Sequence, residues 1–248
     1  MINLVFKNSE TLRASKLPYP LETIVKSSPL VSFLNDFVLL LKARYPIIYI
    51  STYEEERIEY IIKYCTKKYV SRAYYAWDFI DGYQGNPNDT GFAARNPLEA
   101  LELIEKLTPE TPAVFVLRDY DNFLKDLSVT RKIKNLSKTL KTQPKNIIII
   151  SNEVNIPDPL KEIITVVDFP LPSYSEIQEE LKRLMDSIKQ EISIKDISSL
   201  TIACQGLSLE RIRRVLSKII AQYGKIDKFS ASLILEEKKQ IIQQSQIL

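Results

Sequence analysis

Residues 46–65 read PIIYISTYEEERIEYIIKYC, and this stretch decides the fold class. After Pro46, the run Ile47–Ser51 is apolar and rich in β-branched residues, which predicts a strand covered on both faces. Past the next turn, apolar side chains recur at i, i+3, i+4 and i+7, the spacing of a helix with one buried face. These side chains are Ile58, Ile61, Ile62 and Cys65. A buried strand followed at once by an amphipathic helix is the repeating unit of α/β proteins.

The alternation of strands and helices continues up to residue 172. Further strands are predicted at residues 73–79, 113–117, 146–152 and 164–168, and helices near 29–43, 97–107 and 128–142. Segment 81–96 is rich in Gly, Asn and Pro, which predicts a loop. We therefore expect an α/β fold with a five-stranded parallel sheet and helices on both faces.

The pattern changes after Pro172. Ser173 and Glu176 match an N-terminal capping box, and helical apolar stripes follow as far as Gly224. We predict a lead-in segment at 1–28, an α/β domain at 29–172, a small all-helical lid at 173–226 and a helical tail at 227–248.

Composition excludes several classes of protein. The 248 residues include no histidine and only two cysteines, which lie far apart. The lack of histidine removes Ser-His-Asp and Cys-His catalysis and every His-ligated metal site, and two distant cysteines form neither a zinc finger nor a disulfide framework. A net charge of +3 is too small to indicate a nucleic-acid partner. No apolar run approaches the length of a membrane span, and we predict no catalytic residue and no metal site in this chain.

The turn after the first predicted strand does not match a phosphate loop. A phosphate loop needs G-x-x-x-x-G-K-[ST], so that backbone N–H groups converge on the phosphate oxygens. Residues 51–57 read STYEEER and contain neither glycine nor lysine. Thr52 and Glu55 match a capping box instead. The glutamates at 54–56 would also repel a triphosphate at the helix start, where anions otherwise bind.

Later segments resemble the AAA-type ATPases. Residues 115–121, FVLRDYD, resemble the Walker B strand of that family, and residues 147–152, IIIISN, resemble its sensor 1 strand. Gly206-Leu207-Ser208, at the start of a basic helix, is similar to the lid of the family. The resemblance implies that the fold is that of P-loop NTPases, with the predicted strands in the order 5-1-4-3-2.

A narrower resemblance concerns the family of the hypothetical chloroplast reading frame forty-six, found in algal plastids and cyanobacteria. It is carried by residues 43–63, 147–170 and 236–248, and it covers roughly residues 40–248. Proteins of this family are about twice as long, and their second half is an AAA module with an intact phosphate loop. The chain thus resembles their amino-terminal half, and the resemblance implies ATP and Mg²⁺ only in the second module.

The resemblance assigns roles to four positions of a degenerate cofactor-binding site. These positions are Thr52, Arg118, Asp119 and Asn152. Arg118 stands where the Walker B aspartate holds Mg²⁺, Asp119 where the water-activating glutamate belongs, and Asn152 where the sensor 1 asparagine belongs. No arginine lies between Arg131 and Arg183, so the expected arginine finger is missing. A purely structural interpretation stays open, in which Arg118 and Asp119 form an ion pair and Asn152 caps a turn.

These observations predict a degenerate AAA module without hydrolytic activity, which acts as a structural or regulatory partner. The expected partner is an active AAA module in the same chain or in another, with a homo-oligomer as a further possibility. The expected location is the plastid stroma, or the cytoplasm of a cyanobacterium. Two alternatives stay open: nucleic-acid binding through the basic helix at 131–145, and weak binding of adenine nucleotides in the lid cleft. We interpret the basic helix as a solvated face and do not expect a nucleic-acid partner.

Overall fold

A computed structural model describes residues 29–85, 90–227 and 229–245, so the predicted lead-in at 1–28 lies outside the described residues. The first part of the chain alternates helices and strands. Its elements are α1 (Pro29–Lys42), β1 (Ile47–Ser51), α2 (Glu55–Cys65), β2 (Ala73–Asp78), β3 (Gly82–Gln84), α3 (Pro97–Lys106), β4 (Ala113–Arg118), α4 (Leu127–Leu140), β5 (Lys145–Ser151) and β6 (Ile164–Asp168). A π-helical turn, Thr66–Val70, extends α2, and short 3₁₀ turns follow β4 at Tyr120–Phe123 and precede β6 at Asp158–Leu160.

The sheet has six strands in the order β3-β2-β4-β5-β1-β6. β2, β4, β5, β1 and β6 are parallel, and their order is the one that the AAA resemblance implies. The carboxyl ends of these strands therefore lie along one edge of the sheet, here called the carboxyl edge, and their starts lie along the opposite amino edge.

The prediction of a loop over 81–96 was wrong at its start, because Gly82–Gln84 forms the antiparallel edge strand β3. Tyr83 is fully buried, and its hydroxyl donates a hydrogen bond of 2.6 Å to the Ala100 carbonyl. Gly82 has φ +70°, and a Cβ there would lie 2.5 Å from the Phe92 carbonyl oxygen. The glycine therefore permits a tight return of the chain onto β2 that another residue would block.

Apolar side chains cover both faces of the sheet. One buried cluster joins the sheet to α3 and α4, with Leu103, Ile104, Ile133 and Leu136 among its members. A second cluster joins the opposite face to α1 and α2 and includes Phe37, Leu41, Ile58 and Ile62. Because both faces are covered, the central strands contain continuous apolar runs rather than alternating apolar and polar residues.

In the described part of the chain after the sheet lie the helices α5 (Tyr174–Ser187), α6 (Ile194–Cys204), α7 (Leu209–Tyr223) and α8 (Ser230–Ser245). The capping box at the start of α5 is present, with Ser173 and Glu176 in reciprocal contact. The helices share one buried apolar cluster, which extends from Ile177 in α5 to Ile234 in α8. No helix in the described ranges is long and apolar enough to cross a membrane.

Candidate functional site

The carboxyl edge brings the four predicted site positions close together. Thr52 follows β1, and its N–H donates 2.9 Å to the carbonyl of Ser151 at the end of β5. Asp119 follows β4, and its N–H donates 2.8 Å to the carbonyl of Ile150. Arg118 ends β4, and Asn152 follows β5. β5 lies between β1 and β4, so one strand holds the whole set in register.

The predicted capping box of Thr52 and Glu55 was wrong. α2 begins at Glu55, its N-cap residue is Glu54, and no side chain caps the helix. The Thr52 Oγ1 atom accepts a hydrogen bond of 3.0 Å from the N–H of Glu54, which closes a local turn ahead of the helix. Glu55 is therefore free to face Arg118 rather than the backbone.

The start of α2 is joined to the lid helices by buried charges. Glu54 and Arg57 are 6% and 3% exposed, and their Oε2 and Nη1 atoms lie 2.6 Å apart. Arg57 also donates 2.7 Å to Glu176 of α5 and 2.9 Å to the carbonyl of Pro170. The second carboxylate oxygen of Glu54 accepts 2.7 Å from the N–H of Leu209, the first residue of α7. We call Glu54, Arg57 and Glu176 the Glu54 latch.

The latch satisfies its charges internally. A buried carboxylate is stable only when donors replace its water, and Glu54 has a guanidinium and a helix N-terminus for this. The N-terminus of α7 attracts negative charge, and Glu54 supplies that charge from the first βα turn of the sheet. The N-terminus of α7, which could otherwise bind an anionic ligand, is thus bonded to a carboxylate of the chain itself.

A second charged group surrounds Arg118. Its guanidinium Nε donates to Glu59 and lies 3.5 Å from Glu55 Oε1, and its Nη1 donates 3.1 Å to Asp78 Oδ2. Glu59 also accepts 3.0 Å from the hydroxyl of Tyr74. We call Arg118, Glu55, Glu59 and Asp78 the Arg118 cluster. Arg118 does not pair with its neighbour in sequence, so the interpretation of an Arg118–Asp119 ion pair was wrong.

The pKa values in this cluster follow from burial and from the guanidinium. Burial alone would raise the pKa of Glu59, but the hydrogen bond and the charge of Arg118 hold it below its ordinary value of 4.5. Burial raises the pKa of Glu55 against the opposing charge of Arg118. Burial alone would lower the pKa of the Arg118 guanidinium, but the hydrogen bond and the charge of Glu59 raise it above its ordinary value.

Asp119 and Asn152 face solvent. Asp119 has φ 50°, a left-handed conformation that reverses the chain from β4 into the 3₁₀ turn. Burial and the nearby Asp121 raise the pKa of Asp119. Asp121 is itself buried, and its Oδ1 atom has no hydrogen-bond partner among the described residues. Asn152 is exposed, and its carbonyl oxygen accepts 3.2 Å from Ser51 Oγ.

Sequence reasoning missed the residues that organise this edge. Arg57 and Glu59 lie on α2 beside its apolar stripe, and both are buried. Their partners, Glu176 for Arg57 and Arg118 for Glu59, are distant in sequence, so nothing in the local pattern identifies the pairs. The usable signal is the position of both residues beside the apolar stripe of α2, because a charged side chain buried against the protein core needs a partner of opposite charge.

Comparison with protein families accounts for the residues from 33 to 245 in two parts. Residues 33–169 match the N-terminal domain of SpoVK-like AAA ATPases, and residues 175–245 match the second domain of the same proteins.

Curated relatives confirm the resemblance that the sequence shows. The AAA domain-containing protein ycf46 of Trieres chinensis is 58% identical over 88% of this chain and 44% of its own length. The corresponding proteins of Guillardia theta and Pyropia yezoensis are 54% and 51% identical over the same share of this chain. The chain spans less than half the length of these relatives.

Solved structures show the same fold. The AAA domain of FIGL-1 in complex with ADP superposes with a TM-score of 0.56 over 85% of this chain and 78% of that domain, at 8% identity. C. elegans PCH-2 superposes with the same score over 89% of this chain and 71% of its own, at 11% identity. At this identity the likeness concerns the fold alone, which is the AAA-type fold expected from the sequence. With the family matches above, the chain belongs to the SpoVK-like AAA ATPases.

Proposed function

We propose that this chain is a degenerate AAA-type domain without a hydrolytic site of its own, and that it serves as a structural or regulatory module for an active ATP-binding AAA module. The observation that carries the proposal is the Glu54 latch. In this fold class the first strand-to-helix turn is the usual phosphate site, and here its carboxylate is bonded to the N-terminus of a lid helix.

The residues at the carboxyl edge do not fit a Mg²⁺–triphosphate group. A triphosphate at the start of α2 would meet Glu54, Glu55 and Glu56. Breaking the contact of Glu54 with Leu209 would leave this buried carboxylate with Arg57 as its remaining donor. Mg²⁺ binds hard oxygen ligands, but Arg118 brings a cation to the expected metal position and is hydrogen-bonded to Glu59 and Asp78, two of the acids around it. We therefore propose no cofactor for this chain and no catalytic role for Thr52, Arg118, Asp119 or Asn152.

A fixed contact between sheet and lid suits a module that presents one constant surface to a partner. We propose the division into an α/β domain at 29–172, a lid at 173–226 and a tail at 227–248, with the latch as the joint between the first two. The proposed partner is an active AAA module, in the same chain or in another, as the greater length of the relatives supports. The proposed location is a plastid stroma or a cyanobacterial cytoplasm.

Nucleic acid is not the partner that we propose. The helix α4 carries four basic side chains, Arg131, Lys132, Lys134 and Lys138, but Lys132 is paired with Glu105 of α3. A helix whose cations are partly neutralised by the protein releases fewer counterions on binding a polyanion.

The proposal is tested by titrating the purified chain into the longer ycf46 protein of Trieres chinensis and measuring phosphate release with ATP and Mg²⁺. We expect no release by the chain alone and a saturable change in the rate of the longer protein. An equal mass of serum albumin is the control. Phosphate release by the chain alone would contradict the loss of the site. An unchanged rate across the titration, with the chain shown to be folded, would contradict the regulatory role.

A further inference from the structure

The amino edge of the sheet is basic. Exposed lysine and arginine side chains lie there in the last turns of α1 and α4, in the π-helical turn that extends α2 and in the loops that lead into the strands. They are Lys42, Arg44, Lys67, Lys68, Lys138 and Lys141. Two exposed acids without such neighbours in sequence lie at the same edge, Glu110 before β4 and Glu162 before β6. The cations outnumber these acids, so the edge carries net positive charge.

These six cations have no acidic partner. None of them forms an ion pair with an acid of the described residues, whereas nearby Lys161 lies 2.7 Å from Asp158. Arg44 donates 2.8 Å to the neutral carbonyl of Thr142, which ties the loop before β1 to the loop before β5. Burial and the charge of Arg44 lower the pKa of Arg72. The positive charge of this surface is therefore available to an anion from outside the chain.

The loops of the amino edge lie at a common level. β2, β4 and β5 start side by side, because Ala73 pairs with Ala113 and Ala113 with Lys145. Just before β2, Arg72 donates 2.9 Å to the carbonyl of Leu41, which holds the end of α1 against this edge. The cations thus form a flat surface, which suits a planar array of anions.

Two exposed apolar side chains stand among the cations. Leu39 is 64% exposed, and Tyr45 is 43% exposed beside Arg44. Leu39 precedes Lys42 by about one turn of α1, so their side chains are neighbours on one face of the helix. Surfaces that bind anionic bilayers combine these groups, because cations contact the headgroups while leucine and tyrosine enter the interface.

We propose that the amino edge is a peripheral binding site for a bilayer that contains anionic lipids. The cations contact the headgroups, and Leu39 and Tyr45 enter the boundary between headgroups and acyl chains. The strands then stand across the plane of the bilayer, and the carboxyl edge points away from it. The contact does not depend on the proposed regulatory function, because the Glu54 latch lies at the opposite edge.

The aromatic side chains near the cations favour a bilayer over a single-stranded nucleic acid. Nucleic acids of this kind stack their bases on open aromatic rings. Tyr64 and Tyr69 pack edge to face against each other, with ring centroids 5.9 Å apart. The ammonium group of Lys68 lies over both rings, 4.9 Å and 5.7 Å from their centroids. Leu39 offers no ring for stacking, but it gains free energy by leaving water for acyl chains.

Sedimentation with vesicles is the first test. The purified chain is mixed with vesicles of phosphatidylcholine that contain about one-third phosphatidylserine, and with vesicles of phosphatidylcholine alone. Salt is set at about 0.1 M and about 1 M, where the Debye length is about 10 Å and about 3 Å. We expect sedimentation with the anionic vesicles at the lower salt, release at the higher salt and no sedimentation with the neutral vesicles. No binding to the anionic vesicles, or equal binding to both kinds, would overturn the proposal.

Charge reversal locates the contact. The edge variant carries Lys42→Glu, Lys67→Glu and Lys141→Glu. Each cation near an anionic surface strengthens binding by about fivefold. We therefore expect the three reversals to lower the partition coefficient into anionic vesicles at least about 100-fold.

The matched control makes the same charge change on exposed positions of the lid helices. It carries Lys182→Glu, Lys195→Glu and Lys239→Glu. Both variants have the same net charge, so a difference between them reports where the charges lie. We expect the control to keep most of the binding. Circular dichroism and the unfolding midpoint establish that each variant is folded, and equal losses in the two folded variants would overturn the proposal.

The variant Leu39→Trp distinguishes a bilayer from another polyanion. The single tryptophan of the sequence, Trp77, is fully buried, so a change in emission on binding reports position 39. With anionic vesicles we expect a shift to shorter wavelength and quenching by lipids that are brominated in their acyl chains. With polyuridylate or polyglutamate we expect no shift. An equal shift with either polymer, or no shift while the chain sediments with vesicles, would overturn the proposal.

Discussion

The Glu54 latch and the Arg118 cluster both start from α2, but they differ in burial and in what they join. The latch connects the sheet to the lid, and its central residues, Glu54 and Arg57, are both buried. The Arg118 cluster joins α2 to β2 and β4 within the sheet domain, and its guanidinium is 17% exposed. One helix start thus serves two electrostatic tasks.

The two groups stabilise the start of α2 in different ways, in a turn that has no phosphate-loop motif. At the latch, Arg57 also stacks over the ring of Phe169, 4.6 Å from its centroid, so charge and packing coincide. At the Arg118 cluster, three carboxylates surround one partly exposed guanidinium, and Glu59 also lies 3.4 Å from Lys63 Nζ. Breaking the latch should therefore change global stability, whereas breaking the cluster should change how stability depends on pH.

The largest expected effect comes from Arg57→Met. The substitution leaves Glu54 and Glu176 without their cation, and removal of one partner from a buried pair typically costs about 3–5 kcal/mol. Urea unfolding measures the loss. Arg214→Met is the matched control, because that side chain is 74% exposed in a pair with Glu210, and such surface pairs contribute at most about 1 kcal/mol. Equal losses in the two variants would show that the latch is not a joint.

A smaller, pH-dependent effect is expected for Arg118→Met. Hydrogen bonds to charged groups contribute about 1.5–3 kcal/mol each, with less at partly exposed sites. Arg118 holds the pKa of Glu59 below its ordinary value of 4.5, so this stabilisation is present above that pH and is lost as the pH falls through the lowered value.

In the variant, burial raises the pKa of Glu59, and protonation removes the cost of its buried charge. The gap in unfolding free energy between Arg118→Met and the unchanged chain should therefore shrink as the pH falls from neutral to about 4. Urea midpoints at several pH values measure the gap. A gap that stays constant or widens would show that Arg118 does not act through Glu59.

The smallest effects distinguish a true capping box from a local turn. Ser173 takes part in a reciprocal capping box at the start of α5, so Ser173→Ala should cost about 1 kcal/mol. Thr52 closes a turn ahead of α2 without capping it. Thr52→Ala should therefore lower the free energy of unfolding by only about a few tenths of a kcal/mol, less than the loss of an N-cap side chain. Thermal unfolding ranks the two variants. A larger loss for Thr52→Ala would restore the capping role that its sequence pattern suggests.

The sequence was a better guide to the fold than to the site. The apolar runs within the strands Ile47–Ser51 and Lys145–Ser151 predict these strands, because burial on both faces demands continuous apolar residues. β3 was not predicted, because its three residues are too few to show a periodic pattern. The latch escaped for another reason: Arg57 and Glu176 are 119 residues apart, and only the packed fold brings them together.

We propose that the carboxyl edge binds no nucleotide. Calorimetry with a non-hydrolysable ATP analogue and Mg²⁺ measures such binding, with Asn152→Ala and Asp119→Asn as companion variants. We expect no binding of micromolar strength for the chain or for either variant. Stoichiometric micromolar binding that Asn152→Ala abolishes would contradict it, and ATP turnover abolished by Asp119→Asn would overturn it altogether.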